Sequence, residues 1–455
     1  MKLKISDIIK ATHGKLLNGD LNTVVTNIST DTRTIKKGDL FIAIKGPIFD
    51  GHDYIEDAFE KGAVCAIVER LETRDRRPET VIKVEDTITA LGDIASCWRD
   101  KIDITCIAVT GSNGKSTTKE MIAAALSGNK KVIKTEGNFN NLIGLPLQLA
   151  RISKDYDLAM LEMGMNAFGE IKRLTEIAKP DIGLITNVNP AHLEKLQTIE
   201  NVALAKGELF ETMRKDGTAV INVEDPLVVK LGKKYPGKKI TFGMQDNCDV
   251  RFVKMVCEDL SKTELTLEVN GKRYELSLPV PGTHNVMNAL AAIAVGVAVG
   301  VPVDSMLNGL SDFKPMKMRM EKIQLSNGVQ LINDSYNANP ASMKVALKTA
   351  GSAKKAGRFI AVLGDMLELG DSAHEKHFEL GKNVKDNAVN KLFVAGKFAE
   401  DVKKGAGKAD VFKDFNQLNE AVLKEIKSGD VVLVKGSRGM KMERVVEFLK
   451  NRVGT

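Results

Sequence analysis

The sequence predicts a multi-domain α/β protein built on parallel sheets, and three observations carry that prediction. Short, mostly apolar runs recur at Ile104–Val109, Leu158–Leu161, Ile182–Thr186 and Ala219–Asn222, the pattern of strands buried on both faces. Helical stretches separate them, which is the alternation of a doubly wound sheet. The 455 residues amount to roughly three domains at about 150 residues each.

Residues 1–100 read as a first α/β unit. Its strands are expected at Val24–Ile28, Asp39–Ile44, Ala63–Val68 and Val81–Val84, with helices at Asp53–Lys61 and Thr89–Trp98. A central unit, 101–313, opens on the strand Ile104–Val109, a Gly-rich turn and a helix from Lys115 to about Leu126. Between about 248 and 280 the period changes to two, with Leu265, Leu267 and Val269 followed by Tyr274, Leu276 and Leu278. That alternation predicts a small antiparallel appendage. The apolar run Ala289–Val303 is shorter than a membrane span and carries Gly296, Gly300 and Pro302. It reads as a buried helix ending near Gly300. The third unit, 314–455, repeats the α/β alternation in Rossmann-like fashion, with strands at Val329–Asn333, Phe359–Leu363, Leu392–Val394 and Val431–Val434.

Composition narrows the function. Hydrophobic residues are 43% and charged residues 27%, enough to build several cores and too apolar for global disorder. Lys+Arg exceed Asp+Glu by 66 − 59 = 7, a mildly basic balance that favours anionic ligands such as nucleotides. Aromatics are only 5%, and no Lys/Arg block is interleaved with them, so nucleic acid is not expected. The densest basic patch, Arg70 to Arg77, includes Glu72 and Asp75 and reads as a solvated face. The five cysteines are scattered without a C-x-x-C, which excludes a disulfide framework or zinc knuckle and fits a reducing cytoplasm. No apolar segment follows the charged N-terminus, so neither a signal peptide nor membrane insertion is expected.

The strongest local signal is Gly111-Ser112-Asn113-Gly114-Lys115-Ser116-Thr117, placed after a buried strand and before a helix. Glycines there let backbone N–H groups approach phosphate oxygens, and the helix N-terminus adds positive potential. Lys115 is suited to the β- and γ-phosphates and Ser116 to Mg²⁺. The loop is shorter than a strict Walker A, since Val109 stands where that motif has its first glycine. No guanine-reading Asn-Lys-x-Asp is present, so ATP is the expected nucleotide. Glu162 ends a buried strand on the side where open α/β sheets bind ligands, and His192 falls in the loop after the next such strand. A strand-end salt bridge explains Glu162 about as well, a lone loop histidine is usually just solvated, and spacing alone gives no reason to single out Lys206.

Taken together, the P-loop, Leu161-Glu162-Met-Gly, Asn189-Pro-Ala-His192-Leu-Glu, the Lys206 segment, His284-Asn285-Val-Met-Asn288 and Arg319-Met-Glu resemble the Mur ligase family over nearly the whole chain. Glu136-Gly-Asn138-Phe-Asn140-Asn141, Asp334-Ser-Tyr336-Asn337-Ala-Asn339-Pro, Gly364-Asp-Met-Leu-Glu-Leu-Gly and Val434-Lys-Gly-Ser-Arg438 are similar to one branch of it. That branch adds D-alanyl-D-alanine to UDP-N-acetylmuramoyl-tripeptide in making the bacterial cell wall. Ser29-Thr-Asp31-Thr-Arg33 resembles the UDP-binding unit shared with the ligase that adds the third amino acid.

The resemblance implies roles that spacing could not supply. Lys206 would carry a carbamate and, with Glu162, His192 and Ser116, hold two Mg²⁺ ions. Asn285 and Asn288 would lie near the adenine, Asp334 toward the ribose, and Arg319 at the nucleotide phosphates. Asn138 and Asn141 would meet the muropeptide; Tyr336, Asn337 and Arg438 would contact nucleotide or dipeptide. A monomeric cytoplasmic enzyme is expected. The rival readings are the third-residue ligase, a folate polyglutamylating enzyme, and a P-loop switch or motor ATPase. The first two do not account for the Asn-rich motifs, and the third leaves them without a role.

Overall fold

The computed structural model describes residues 1–70, 79–258, 262–352, 354 and 357–455. Three main sheets follow one another along the chain. The first has five strands in the order Lys15–Asn18, Thr80–Lys83, Cys65–Val68, Asp39–Ile42 and Asn27–Ser29. All its pairings are parallel except the first.

The central sheet has nine strands. Val132–Lys134, Leu158–Glu162, Thr105–Thr110, Ile182–Ile185, Thr218–Asn222, Lys238–Gly243 and Val250–Glu258 run parallel. Thr263–Val269 and Lys272–Leu278 then turn back antiparallel. The expected antiparallel appendage is therefore continuous with the central sheet, joined where Phe242 and Gly243 pair with Val250 and Arg251. The third sheet has six strands, with Glu321–Gln324 antiparallel at one edge and Gln330–Asp334, Val431–Lys435, Phe359–Gly364, Lys391–Ala395 and Asp410–Phe412 parallel.

One expected strand divides in two. Val24–Val25 pairs antiparallel with Leu3–Lys4, whereas Asn27–Ser29 pairs parallel with Asp39–Phe41. Thr26, between them, binds the Gly38 carbonyl through its N–H and its hydroxyl. Hydrophobic period marks a run as extended but says nothing of a change of partner. The helix expected at Asp53–Lys61 begins as a 3₁₀ turn at Gly51–Tyr54, capped by Asp50, and becomes α only over Ile55–Glu60. The Ala-rich helix runs Thr283–Val299 and ends, as expected, on Gly300 in the left-handed conformation with φ 80°. It is buried over most of its length against the P-loop helix and the central sheet. No helix among the described residues is long and apolar enough to cross a membrane. The basic patch from Arg70 to Arg77 falls outside the described residues except for Arg70, which pairs with Asp50.

Two sets of contacts position the units. Helix Thr87–Arg99 lies against Glu170–Ala178, where Arg173 pairs with Asp93 at 2.6 Å and Trp98 donates to the Ile152 carbonyl. On the other side the third unit reaches the P-loop directly, as the site geometry shows.

Candidate active site

The C-terminal ends of the central parallel strands open into a cleft of about 720 Å³, with the P-loop at its base. The strand Thr105–Thr110 delivers the loop, and the helix Lys115–Leu126 begins on Gly114. Gly111 has φ +147° and Gly114 φ +81°. A Cβ on Gly111 would stand 1.9 Å from Thr186 Oγ1, and one on Gly114 would stand 2.6 Å from Asn288 Oδ1. Both positions thus need glycine for backbone conformation and for space.

The loop is fixed from the neighbouring strand end. Thr186 Oγ1 and Asn187 Nδ2 donate to the Asn113 carbonyl, Asn113 N–H donates to Asn187 Oδ1, and Ser112 Oγ donates to the Asn189 carbonyl. These bonds satisfy side chains and carbonyls at the loop's edge and hold its shape. Lys115 Nζ donates to the Gly111 carbonyl at 2.7 Å, folded back over the loop. Burial pushes its pKa below the ordinary lysine value, while Glu162 and Glu368 pull it up.

Glu162 is 2% exposed. Asn140 Nδ2 donates to its Oε1 at 2.9 Å, and its Oε2 is buried with no partner among the described residues. An orphaned carboxylate oxygen is costly unless something binds it. Together with the Ser116 hydroxyl it offers hard oxygen donors beside a phosphate loop. Among the described residues no group of three His, Cys, Asp or Glu side chains could hold a metal. This donor set suits Mg²⁺, which is held by one or two carboxylates plus substrate phosphates rather than by an all-protein cage.

Lys206, on the helix Ile199–Thr212, is 1% exposed. Burial, reinforced by the nearby Lys115 ammonium, pushes its pKa well below the ordinary value. Both effects disfavour the charged form of the amine. His192, in the left-handed region with φ 55°, begins the turn Leu193–Leu196.

The third unit closes the cleft from above. Arg319 donates from a terminal nitrogen to Ser116 Oγ at 2.8 Å and lies over the Tyr336 ring at 4.1 Å. Its Nε is buried without a partner. Asn339 Nδ2 donates to Asn113 Oδ1 at 2.6 Å, and His192 Nδ1 meets Glu368 Oε2 at 2.7 Å. Asp334 accepts from Lys435 Nζ at 2.6 Å and from the Met320 N–H at 3.0 Å. Asn285 and Asn288 line the cleft from the Ala-rich helix, where Thr118 Oγ1 also bonds Asn288 Oδ1. His284, beside them, is pushed down to about 4 by burial, so it stays neutral near pH 7.

The structure therefore brings together Ser112 to Thr117, Asn141, Glu162, His192, Asn285, Asn288, Arg319, Asp334, Tyr336 and Asn337 around one cleft. Others lie elsewhere. Asn138 is exposed and outside the lining, whereas Asn141, at the cleft, has its side-chain oxygen accepting from the Ile143 and Gly144 N–H groups. Arg438 is turned outward to Glu443. Ser29, Asp31 and Arg33 form a self-contained turn in the first unit, where Arg33 is held by Asp31. No residue of 1–100 among those described lines the cleft. Sequence reading passed over Asn140, Asn339, Glu368 and Lys435. All four sit inside the long motifs it quoted, but nothing in their spacing marks them from their neighbours.

His284, which lines the cleft, gives a further test. A histidine whose folded pKa lies near 4 against an ordinary 6.5 binds fewer protons folded than unfolded in between. Stability is thus full above about pH 6.5 and falls as pH drops toward 4. Thermal melts of His284→Gln should lose part of that acid-side slope; an unaltered slope would contradict the assignment.

The chain is similar to known proteins over nearly its whole length. The family models that match are the Mur ligase family catalytic domain over residues 24–99, the Mur ligase middle domain over 109–296, and the Mur ligase glutamate ligase domain over 318–438. The chain is 37% identical to the UDP-N-acetylmuramoyl-tripeptide--D-alanyl-D-alanine ligase of Bacillus subtilis, over 99% of this chain and 98% of the relative. It is 34% identical to the ligase of the same name from Escherichia coli, over 96% of each. A crystal structure of MurF from Acinetobacter baumannii superposes with a TM-score of 0.92 at 29% identity, covering 99% of both chains. MurF from Thermotoga maritima in complex with ADP superposes with a TM-score of 0.85 at 29% identity, covering 94% of this chain and 99% of that one.

Proposed function

The chain belongs to the Mur ligase family, and on that premise we propose that it joins D-alanyl-D-alanine to the terminal carboxylate of UDP-N-acetylmuramoyl-tripeptide. ATP drives the reaction through an acyl phosphate, and ADP and phosphate are released. The observation that carries the substrate assignment is the full-length match to ligases of that name, 37% identical over 99% of this chain.

A carboxylate is a poor electrophile because its leaving group would be oxide. Transfer of the γ-phosphoryl group onto it makes an acyl phosphate, which the dipeptide amine attacks through a tetrahedral intermediate that expels phosphate. Such a transfer needs alignment and charge neutralisation more than covalent help. The loop N–H groups and Lys115 hold the phosphates, while Asn285 and Asn288 lie toward the adenine and Asp334 toward the ribose. Arg319, anchored on Tyr336 and already at Ser116, adds a second cation at the phosphates from the third unit. Ser116 and Glu162 fit one magnesium ion; His192 and Lys206, as its carbamate, would serve on or near a second. Magnesium supplies charge neutralisation on the transferring phosphoryl group. CO₂ would add to the neutral form of the Lys206 amine with release of a proton, and the carbamate would put an anion near Lys115 where burial disfavours a second cation.

The division of labour we propose places the UDP-muropeptide on 1–100, with Ser29, Asp31 and Arg33 at the UDP. Asn138 and Asn141 meet the peptide. ATP sits on 101–313, and 314–455 closes over it, with Asn337 and Arg438 toward the nucleotide or dipeptide. The enzyme acts as a cytoplasmic monomer in this reading. Closure keeps water from the acyl phosphate.

The test is ADP release with ATP, Mg²⁺ and UDP-N-acetylmuramoyl-tripeptide, with and without D-alanyl-D-alanine, and the product mass determined. Turnover that needs both acceptor and dipeptide, with a pentapeptide product, is expected. ADP release indifferent to the dipeptide, or a different amino acid joined, would refute the assignment. Arg319→Ala should lower kcat by about 10²–10³, since it removes a donor aimed at developing phosphoryl charge. Steady-state kinetics showing kcat within twofold of the parent would remove Arg319 from that role.

A further inference from the structure

Glu368 was assigned no role in the chemistry above, yet it meets His192 across the boundary between the central and third units. It follows the strand Phe359–Gly364 of the third sheet, and its Oε2 lies 2.7 Å from His192 Nδ1. The contact is built into the backbone on both sides. Glu368 itself stands at φ +65° and His192 at φ +55°, left-handed conformations uncommon for residues other than glycine. Glu194 N–H donates to the Glu368 carbonyl at 3.4 Å. Gly370, at φ +54°, leaves so little room that a Cβ there would stand 3.1 Å from Glu194 Cα. Two strained turns are thus pressed together, and their side chains meet over the cleft that both line.

The pair is a weak source of stability, because the glutamate side chain is 56% exposed. What it does control is the imidazole. In the neutral ring, a carboxylate accepting from Nδ1 fixes the proton there and leaves Nε2 as the lone-pair nitrogen, the form in which histidine ligates a metal or accepts a proton. The same third unit that sets Arg319 at Ser116 and Asn339 at Asn113 carries this carboxylate.

We propose that Glu368 is a positioning residue: on closure of the third unit its carboxylate holds the Nδ1 proton of His192 and so sets the ring in its Nε2 lone-pair tautomer beside the P-loop. Assembly of the site then depends on closure twice over, through Arg319 and through this proton. The inference rests on the site reading above for the use made of His192, but not for the tautomer itself.

The tautomer is read directly from the imidazole ¹⁵N shifts of histidine-labelled protein with ADP and without Mg²⁺, His192 being assigned by its loss in His192→Ala. The parent should show Nδ1 protonated and Nε2 bare, and Glu368→Ala should shift both nitrogens toward a mixed population. In the ligase assay Glu368→Ala should lose ten- to a hundredfold in kcat, with KM for tripeptide and dipeptide within about twofold. Glu368→Gln, which keeps an acceptor oxygen, should recover most of that loss. Unchanged His192 shifts in Glu368→Ala would overturn the proposal, as would parental kcat. Should the parent enzyme fail to make pentapeptide, the functional reading falls, while the ring shifts still decide this one.

Discussion

Lys115→Ala is expected to abolish ligation while leaving the UDP-muropeptide bound. Lys115 is buried at the base of the cleft, bonded only to the Gly111 carbonyl of its own loop, and is free to exchange that carbonyl for a phosphate. Removing it takes away the one cation that the P-loop itself contributes. Loss of a single charged donor to a transferring phosphoryl group costs about 10²–10³ in rate. The same loss in this site should also weaken ATP, since the loop's remaining donors are backbone N–H groups. Muropeptide binding should persist because no described residue of 1–100 lines the nucleotide cleft. Single-turnover assays with calorimetry on the UDP-muropeptide would separate the two. Loss of both together would argue against the division of the chain between nucleotide and UDP sites.

For Lys206→Ala, activity should fall by orders of magnitude and return in part with added short carboxylates such as formate or acetate. The argument is electrostatic. An ammonium at this depth, with the Lys115 charge acting on it, is unfavourable, so the charged form is disfavoured. A neutral amine takes up CO₂, and the resulting anion balances Lys115. Alanine leaves a cavity where that anion stood, and a small carboxylate can restore the charge there. Turnover equal to the parent, or a loss that no carboxylate relieves at any concentration, would dismiss the carbamate. Mass spectrometry of the intact parent protein under CO₂ provides an independent reading.

The two lysines differ in how they could be found. Lys115 was legible from the sequence because its neighbours announce it: glycines that must bend, a buried strand before, a helix after. Lys206 lies on an unremarkable helical segment near Glu208, and Glu208 turns out to be occupied elsewhere, capping the helix Glu170–Ala178 through Gly169 and Lys172. Only its burial beside Lys115 marks it, and burial arises from packing between segments some ninety residues apart. Resemblance to a family identified it where local chemistry did not. The same division separates Glu162, whose strand-end position is visible in its apolar run, from Asn140, whose bond to Glu162 spans a turn and a helix.

What the sequence determined alone was therefore local and periodic. The buried parallel strands, the phosphate loop, the helix stop at Gly300 and the change to period-two alternation after 248 all follow from patterns within a dozen residues. Tertiary structure decided whatever depends on one segment meeting another. It split Val24–Ile28 between two sheets and joined the antiparallel strands to the central sheet. It turned Arg438 outward to Glu443, and it set Arg319, Asn339 and Glu368 against the P-loop and His192. The physical reason is that hydrophobic period and turn chemistry are properties of a chain with its near neighbours. Hydrogen bonds, desolvation and charge balance at a site are properties of groups brought together from afar, and they acquire their values only when the fold has excluded the water between them.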